Sequence, residues 1–258
     1  MKSLLVKALG FSATLIHGDT LVLDRWRWLR ERLGPGEGKT LLDVGCGTGA
    51  FTIGAALRGY QAIGLSWDSR NQLVAQERAS LCGAARAVFQ VVDVRTLDQR
   101  QDFNNHFDVV ICLETIEHIL DDQKLLSDIA RALKPGGRLF LTTPNIDYRA
   151  ITASDNGPFS TYEDGWHVRK GYSEDRLREL AETAGFAVHE ISWCSGFLSQ
   201  KLTGLMRVTS RTNHYLSWSL TFPLRILPPM FDKSITKMLG WPLYSICLSA
   251  VKTSAVHS

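Results

Sequence analysis

The stretch Thr40-Leu-Leu-Asp43-Val-Gly45-Cys46-Gly47-Thr-Gly49-Ala50 decides the fold of this chain. The apolar run before the first glycine is typical of a buried β-strand. Three glycines at alternate positions then predict a tight turn, because glycine takes backbone conformations closed to other residues and lets a ligand approach closely. Residues 51 to 58 follow with the pattern of a helix. We therefore expect a strand, a glycine turn and a helix start.

Composition indicates one ordinary globular domain with insertions. The chain has 258 residues, of which 45% are hydrophobic and 21% charged. The net charge of +3 is unevenly distributed, because residues 191 to 258 hold seven Lys or Arg residues against the single acid Asp232. The last quarter of the chain is therefore basic, whereas residues 1 to 190 carry a net negative charge, so the two parts are expected to face different surroundings.

The cysteines and the amino terminus favour a cytoplasmic location. Five widely spaced cysteines without a C-x-x-C pair are not typical of a disulfide framework or a zinc site. Lys7 interrupts the apolar start of the chain, so residues 1 to 16 predict an amphipathic helix rather than a secretory signal. A second helix is predicted over residues 24 to 33, where Trp26 and Trp28 are interpreted as packing residues.

The phrase from Asp43 to Gly49 resembles motif I of the class I S-adenosylmethionine (SAM) dependent methyltransferases, and Lys134-Pro-Gly-Gly137 is another hallmark of that family. The resemblance implies that Asp43 is associated with the amino acid end of SAM and that the glycine turn lies under its sugar and methionine. A cationic sulfonium favours a nearby carboxylate, whereas a pyrophosphate would favour basic groups or bare amides. SAM is therefore the expected cofactor, with S-adenosylhomocysteine as its product.

Repeated strand and helix segments predict an α/β fold with a doubly wound, mostly parallel seven-stranded sheet, the Rossmann-like methyltransferase fold. The last two strands are expected to form an antiparallel hairpin, as in the family. The predicted parts are N-terminal helices packing on the core (1–37), the SAM-binding core (38–194), an aromatic and basic helical insertion (195–243), and the last strand and tail (244–258).

The second and third strands are expected to supply the adenosine contacts. Many methyltransferases end the second strand in an acid that binds both ribose hydroxyls, but this sequence has Ser66 at that position. In this it is similar to the cyclopropane-fatty-acid type of SAM enzyme, and the resemblance implies that Ser66 and the amide side chain of Asn71 bind the ribose together. Asp68 is an alternative ribose ligand or a helix N-cap, and Trp67 either covers the adenine or packs in the core. The resemblance implies the following SAM-binding residues: Asp43, Gly45, Cys46, Gly47, Gly49, Ser66, Trp67, Asn71, Asp93, Val94 and Leu113.

After the fourth strand the sequence reads Glu114-Thr-Ile-Glu117-His118. On a helical turn these three side chains would converge on one face at the carboxyl edge of the sheet, where a divalent cation could bind. The element is similar to that of ubiquinone-biosynthesis O-methyltransferases and small-RNA 2′-O-methyltransferases, in which it and a later histidine, here His167, are linked to metal binding. Many methyltransferases without a metal also carry Glu-His here, and we favour a metal-free site.

His167 is the candidate general base. It lies in a polar segment between the fifth strand and a helix, a connection that commonly forms the substrate wall in this fold. Methyl transfer requires that the nucleophile be aligned and lose its proton, and an imidazole suits that task near neutral pH. Glu114 and His118 are further candidate catalytic residues. The alternative is that His167 is a structural histidine in a lid.

The insertion at 195–243 leaves three interpretations open: a lid over a lipophilic substrate, an interfacial segment on an anionic membrane, or a dimer surface. Its aromatic residues are interleaved with leucines, prolines and positive charges, and prolines between Tyr215 and Phe231 exclude one straight membrane-spanning helix there. Stacking on nucleic acid is disfavoured, because Leu, Ile, Met and Pro accompany the aromatics. The chain is expected to be a monomer or a homodimer, in the cytoplasm or peripheral at the inner face of the membrane.

These features together predict a SAM-dependent methyltransferase acting on a small or lipid-like molecule, at a hydroxyl oxygen. An Asn-Pro-Pro-Tyr type of motif, used on exocyclic amines, is absent after strand four, which disfavours DNA-base chemistry and a nucleic acid partner. Two other classes remain open. A dinucleotide oxidoreductase is disfavoured by Ser66, and a SAM-binding protein without catalytic activity would bind the cofactor yet transfer nothing.

Overall fold

A seven-stranded sheet organises the chain in the computed structural model, which describes residues 2–16 and 19–253. The strand order is β3-β2-β1-β4-β5-β7-β6, and all neighbours are parallel except β7, which runs antiparallel between β5 and β6. The expected doubly wound fold with a terminal antiparallel hairpin is confirmed. The strands are β1 Thr40–Val44, β2 Gln61–Ser66, β3 Ala87–Val91, β4 Phe107–Leu113, β5 Leu133–Pro144, β6 Phe186–Cys194 and β7 Ser245–Lys252.

Helices cover both faces of the sheet. They are α1 Lys2–Leu9, α2 Phe11–Ile16, α3 Thr20–Leu33, α4 Ala50–Leu57, α5 Ser69–Leu81, α6 Asp122–Ala132, α7 Glu174–Thr183, α8 Phe197–Ser210, α9 His214–Thr221 and α10 Leu227–Leu239. Short 3-10 turns occur at Val94–Gln99, Gln101–Phe103, Ile116–His118, Ala153–Asn156 and Pro223–Ile226.

The hydrophobic core lies in two layers, one on each side of the sheet. Leu41 packs in the layer with Trp26, whereas its neighbour Leu42 packs in the other layer with Leu126. Successive residues of a strand point to opposite faces, so a strand buried on both faces needs apolar residues at consecutive positions. This burial explains the continuous apolar runs in β1 and β4.

Several predicted elements have the bounds expected from the sequence, and two differ. The sequence predicts a helix over residues 69–81 and a strand over residues 107–113, and α5 and β4 have these bounds. The single helix expected over residues 1 to 16 was wrong: Gly10, with φ +59°, separates α1 from α2. The fifth strand is predicted over residues 138–143 but begins earlier, at Leu133, because Leu133 already pairs with Phe107 before a register shift. Met1 and residues 254–258 of the predicted tail lie outside the described residues.

The predicted insertion is helical and consists of α8, α9 and α10. It is joined to the amino-terminal region through α3, where the Thr20 hydroxyl donates to the carbonyl of Ser199 at 2.8 Å. Inside the insertion, Asp232 of α10 accepts from the backbone amide of Leu198 at 2.7 Å, which satisfies a free N–H at the start of α8. Among the described residues, no helix has both the length and the apolar character needed to cross a bilayer.

Candidate functional site

A cavity of about 320 Å³ opens at the carboxyl ends of β1, β2 and β4. Ligands of open parallel α/β sheets bind at this edge, and the volume lies in the range of small-molecule sites. The cavity is lined by Gly45, Gly47, Ser66, Trp67, Asn71, Asp93, Val94, Arg95, Glu114, Thr115, His118, Ile119, Glu163, Asp164 and Gly165. Residues from five separate parts of the chain therefore meet in one place.

The glycine turn after β1 forms part of the cavity wall. Gly45 has φ +86°, and a β-carbon there would lie 2.2 Å from the Thr115 hydroxyl oxygen. No side chain fits at that distance, so Gly45 is required by its neighbour as well as by its backbone conformation. Gly47, with φ +52°, differs because a β-carbon there would meet no described atom within 4 Å. The turn therefore leaves space beside Gly47.

Four residues expected to contact SAM do not lie on the cavity wall: Asp43, Cys46, Gly49 and Leu113. Asp43 is 1% exposed and accepts a hydrogen bond from the Thr52 hydroxyl at 2.6 Å. Burial raises the pKa of Asp43 to about 7. The carboxyl group is thus buried and ties β1 to α4 through Thr52, and its expected association with the amino acid end of SAM stays a prediction.

The buried Asp43 carboxyl predicts a pH-dependent stability. Its folded-state pKa of about 7 exceeds the ordinary aspartate pKa of 3.8, so between these pH values the unfolded chain has released a proton that the folded chain keeps. The free energy of unfolding should therefore fall as pH rises from about 4 to about 7. Asp43→Asn keeps an acceptor for Thr52 and should remove this dependence. Urea unfolding of both proteins at pH 5 and pH 8 measures it; equal pH slopes would contradict the assignment.

The end of β2 places three predicted residues, Ser66, Trp67 and Asn71, on the cavity wall. Trp67 is 63% exposed, so its side chain is not a core packing residue. Asp68 does not line the cavity and instead accepts from the backbone amide of Arg70 at 2.9 Å, as the N-cap of α5. Between the two interpretations of Asp68, the geometry matches the N-cap.

Asp93 and Val94 follow β3 on the wall and are joined by Arg95, which no sequence motif marks. Arg95 forms an ion pair with Asp93 and a second one with Glu163, at 3.0 Å. The Arg95 guanidinium lowers the pKa of Asp93. Glu163 also accepts from the backbone amide of Leu120 at 2.6 Å. Arg95 thus ties residues 163–165 to the cavity rim.

Glu114 lies on the wall in an unusual backbone conformation. Its φ of +53° is rare for a residue with a side chain. Its carboxylate pairs with Arg25 at 2.9 Å and accepts from the hydroxyls of Thr142 and Ser245, both at 3.0 Å. Strained conformations of this kind persist where the surroundings hold them and often occur at functional sites. Because Arg25 belongs to α3, this helix fixes the Glu114 side chain on the cavity wall.

Glu117, His118 and His167 form a separate group whose candidate ligand atoms all lie within 4.8 Å of one another. The expected convergence of Glu114 with Glu117 and His118 on one helical face was wrong, because Glu114 precedes the 3-10 turn Ile116–His118 and is held by Arg25. His118 lines the cavity. The ring centroids of His118 and His167 lie 4.7 Å apart, and the two rings meet edge to face. Both imidazoles are thus adjacent to the cavity.

The group is largely buried, which changes its ionisation. Burial raises the pKa of Glu117 well above its ordinary range and lowers the pKa of both histidines, that of His167 to about 4. Glu117 is fully buried; one of its oxygens accepts from Thr143 at 3.1 Å, and the other has no hydrogen-bond partner among the described residues. Both imidazoles are therefore neutral near pH 7, with lone pairs free to take a proton or bind a metal, and the lowered pKa makes each a weaker base than a free imidazole.

Comparison with known proteins places the chain in a family. The family model described as a methyltransferase domain matches residues 21–191. A ubiquinone biosynthesis O-methyltransferase of Leptothrix cholodnii is 34% identical over 121 residues, covering 47% of this chain and 51% of that protein. One of Aeromonas salmonicida is 30% identical over 172 residues, covering 65% of this chain and 71% of that protein. For the Leptothrix protein and several others of that name, the chain spans about half of the relative's length.

Solved structures agree on the architecture. Phosphoethanolamine N-methyltransferase 2 of Haemonchus contortus, solved in complex with SAM, has a TM-score of 0.62 and 23% identity, covering 89% of this chain and 52% of that chain. At this identity the likeness shows the fold alone. The family model, in contrast, matches about two thirds of the sequence, including the glycine turn and the group around His118. The chain therefore belongs to the methyltransferase-domain family, as its motif I resemblance predicts.

Proposed function

We propose that this protein is a SAM-dependent methyltransferase that transfers a methyl group to a hydroxyl oxygen of a small or lipid-like acceptor. The observation that carries the proposal is the meeting of the glycine turn with Ser66, Trp67, Asn71 and Asp93 around one cavity in a member of the methyltransferase-domain family. The curated relatives, named as ubiquinone biosynthesis O-methyltransferases, support an oxygen acceptor.

The cavity fits SAM in three respects. The space beside Gly47 lets a ligand reach the backbone of the turn, exposed Trp67 offers an aromatic face at the rim, and Ser66 with Asn71 offers polar groups for a ribose. Bound there, SAM would supply an electrophilic methyl group. Asp93 would accept from the adenine amino group, while the Arg95–Glu163 ion pair would keep residues 163–165 over the site and limit the entry of water.

The chain must also remove a proton from the acceptor hydroxyl, and His167 is our candidate for that step. Its neutral imidazole lies beside His118, which faces the cavity. A positioned base of this kind contributes about 10²- to 10⁴-fold to the rate. His118 and Glu114 then act as wall residues that orient the acceptor. We therefore expect Asp93, Ser66 and Asn71 to bind SAM and His167 to remove the proton from the acceptor hydroxyl.

Replacing His167 with alanine is expected to lower kcat about 100-fold while SAM affinity stays within about threefold, because His167 does not line the cavity proposed for SAM. Steady-state kinetics and calorimetric titration of SAM measure the two effects separately. His189→Ala, an exposed histidine on β6, is the matched control and should leave both unchanged. A fully active His167→Ala variant would remove His167 from the mechanism.

A metal-assisted O-methyltransferase is the second candidate, favoured by the grouping of Glu117, His118 and His167. These three residues could hold a divalent cation, and the cation would lower the pKa of the acceptor hydroxyl. Glu114, the fourth ligand expected from the sequence, is paired with Arg25 instead. We therefore expect activity to survive prolonged dialysis against EDTA and to gain less than about twofold from added Mg²⁺ or Zn²⁺. Loss on chelation with recovery on adding metal would favour this candidate instead.

A SAM-binding partner protein without catalytic activity is the remaining alternative. It would show the same SAM affinity but no transfer of label from methyl-labelled SAM to any acceptor in a cell extract. Under our proposal, label appears in small molecules and requires His167. We propose a small-molecule or lipid-like substrate, a monomer or homodimer, and a cytoplasmic site of action with peripheral membrane contact through residues 195–243.

A further inference from the structure

Helix α10, Leu227–Leu239, has its polar and apolar faces reversed relative to an ordinary surface helix. Its buried residues include Asp232 and Thr236, which accept hydrogen bonds from the amides of Leu198 and Phe197 at 2.7 and 2.8 Å. Those contacts cap the amino-terminal end of α8 and fix the rotation of α10. The orientation of the helix therefore follows from specific hydrogen bonds.

The exposed side of α10 is apolar as a result. Met230 is 67% exposed, Phe231 47% and Met238 77%, and Leu227 is exposed as well. At about 100° per residue, these four side chains fall within an arc of about 100°. Exposed Leu220, Phe222 and Leu224 add further apolar surface in the segment just before the helix. An apolar face of this extent on a described surface normally has a partner.

Charge indicates which partner this face fits. Lys233 and Lys237, both exposed, lie along one edge of the apolar arc, where they and Met230 border a cavity of about 870 Å³ that α3 lines on its other side, with Glu31 among its residues. The only acid between residues 191 and 253 is Asp232, and it is buried beneath the helix. An apolar stripe edged by lysines, with no exposed acid in the same segment, is the pattern of a helix lying in the interface of an anionic bilayer. An identical copy of this face would instead bring like charges together.

We propose that the outer face of α10, formed by Leu227, Met230, Phe231, Met238, Lys233 and Lys237, docks the protein on anionic lipid bilayers. The apolar side chains enter the boundary between headgroups and acyl chains, and the two lysines contact the lipid phosphates. The docking face lies outside the SAM cavity, and its test does not depend on methyl transfer.

The test is flotation of the full chain with vesicles of phosphatidylcholine alone and of phosphatidylcholine mixed with phosphatidylglycerol. We expect binding to the anionic vesicles that weakens with added salt, and little binding to the neutral ones. The variant Met230→Gln/Phe231→Gln/Met238→Gln should bind at least about tenfold more weakly, since it removes the inserted apolar groups. Lys233→Gln/Lys237→Gln should lose about tenfold in affinity for the anionic vesicles.

A matched control changes three exposed apolar residues elsewhere, Leu57→Gln/Leu73→Gln/Val88→Gln, on α4, α5 and β3. It should bind vesicles as the unaltered protein does. Failure of the unaltered protein to float with anionic vesicles would overturn the proposal, and so would equal binding by the α10 triple variant. Sedimentation velocity supplies the competing outcome: a dimer that the α10 triple variant abolishes, without vesicle binding by either protein, would identify the face as an interface between two copies.

Discussion

Replacing Gly45 with alanine is expected to lower the affinity for SAM at least about 100-fold, equivalent to about 2.7 kcal/mol. The new β-carbon would lie 2.2 Å from the Thr115 hydroxyl oxygen, so the turn or Thr115 must move, and both line the cavity. The left-handed backbone at φ +86° adds about 1–2 kcal/mol of strain. Calorimetric titration of SAM and urea unfolding measure the binding and folding effects.

Gly38 provides the matched control for Gly45. Its φ is +84°, almost the same, but a β-carbon there would meet no described atom within 4 Å, and it lies before β1, away from the cavity. Gly38→Ala should therefore lose only about 1–2 kcal/mol of stability and keep its SAM affinity. Gly47→Ala, which adds a β-carbon to open space beside the cavity, should also lose about 1–2 kcal/mol of stability because of its φ of +52°, and should bind SAM about tenfold more weakly. Normal SAM binding by the variants at both Gly45 and Gly47 would place the ligand elsewhere.

Replacing Arg25 with methionine is expected to destabilise the protein by about 3–5 kcal/mol. Arg25 and Glu114 form a buried ion pair at 2.9 Å, with side chains 8% and 15% exposed. Removing the guanidinium would leave the Glu114 carboxylate buried without its counter-charge, in a residue already held at φ +53°. Denaturant unfolding measures the loss, and SAM affinity should fall as well because Glu114 lines the cavity.

The partner substitution separates charge from packing in this pair. Arg25→Met/Glu114→Gln removes both charges and should recover about half of the lost stability, because no unpaired charge remains buried. Arg30→Met, an exposed arginine on the same helix, should change stability by less than about 0.5 kcal/mol. If Arg25→Met costs less than about 1 kcal/mol, the ion pair does not organise this wall of the cavity.

Sequence patterns predicted the central sheet well because their signals are local. The apolar run ending at Val44, the three glycines and the helix after them lie within a few residues of one another, and the order of βα units then limits the topology. Helix α5 was predicted to the residue for the same reason, since an N-cap and a regular pattern mark its start. The break at Gly10 was missed, although a glycine was its visible signal.

The cavity was predicted in outline but not in its contacts. Ser66, Trp67, Asn71 and Asp93 were placed on the wall by resemblance, whereas Asp43 and Leu113 lie beneath it, because a strand buried on both faces turns many of its side chains into the packed layers. The ion pairs of Arg25 with Glu114 and of Arg95 with Glu163 join distant parts of the sequence. No local pattern marks such pairs, so only the folded structure identifies them.

The most direct test of the proposed function is transfer of isotopically labelled methyl from SAM into a cell extract, followed by separation into organic, aqueous small-molecule and macromolecular fractions. We predict label in a small-molecule fraction, most of it organic if the acceptor is lipid-like, and loss of that label with Gly45→Ala and with His167→Ala. Label only in protein or nucleic acid, or SAM binding without any transfer, would contradict the proposal that this chain methylates a small or lipid-like acceptor.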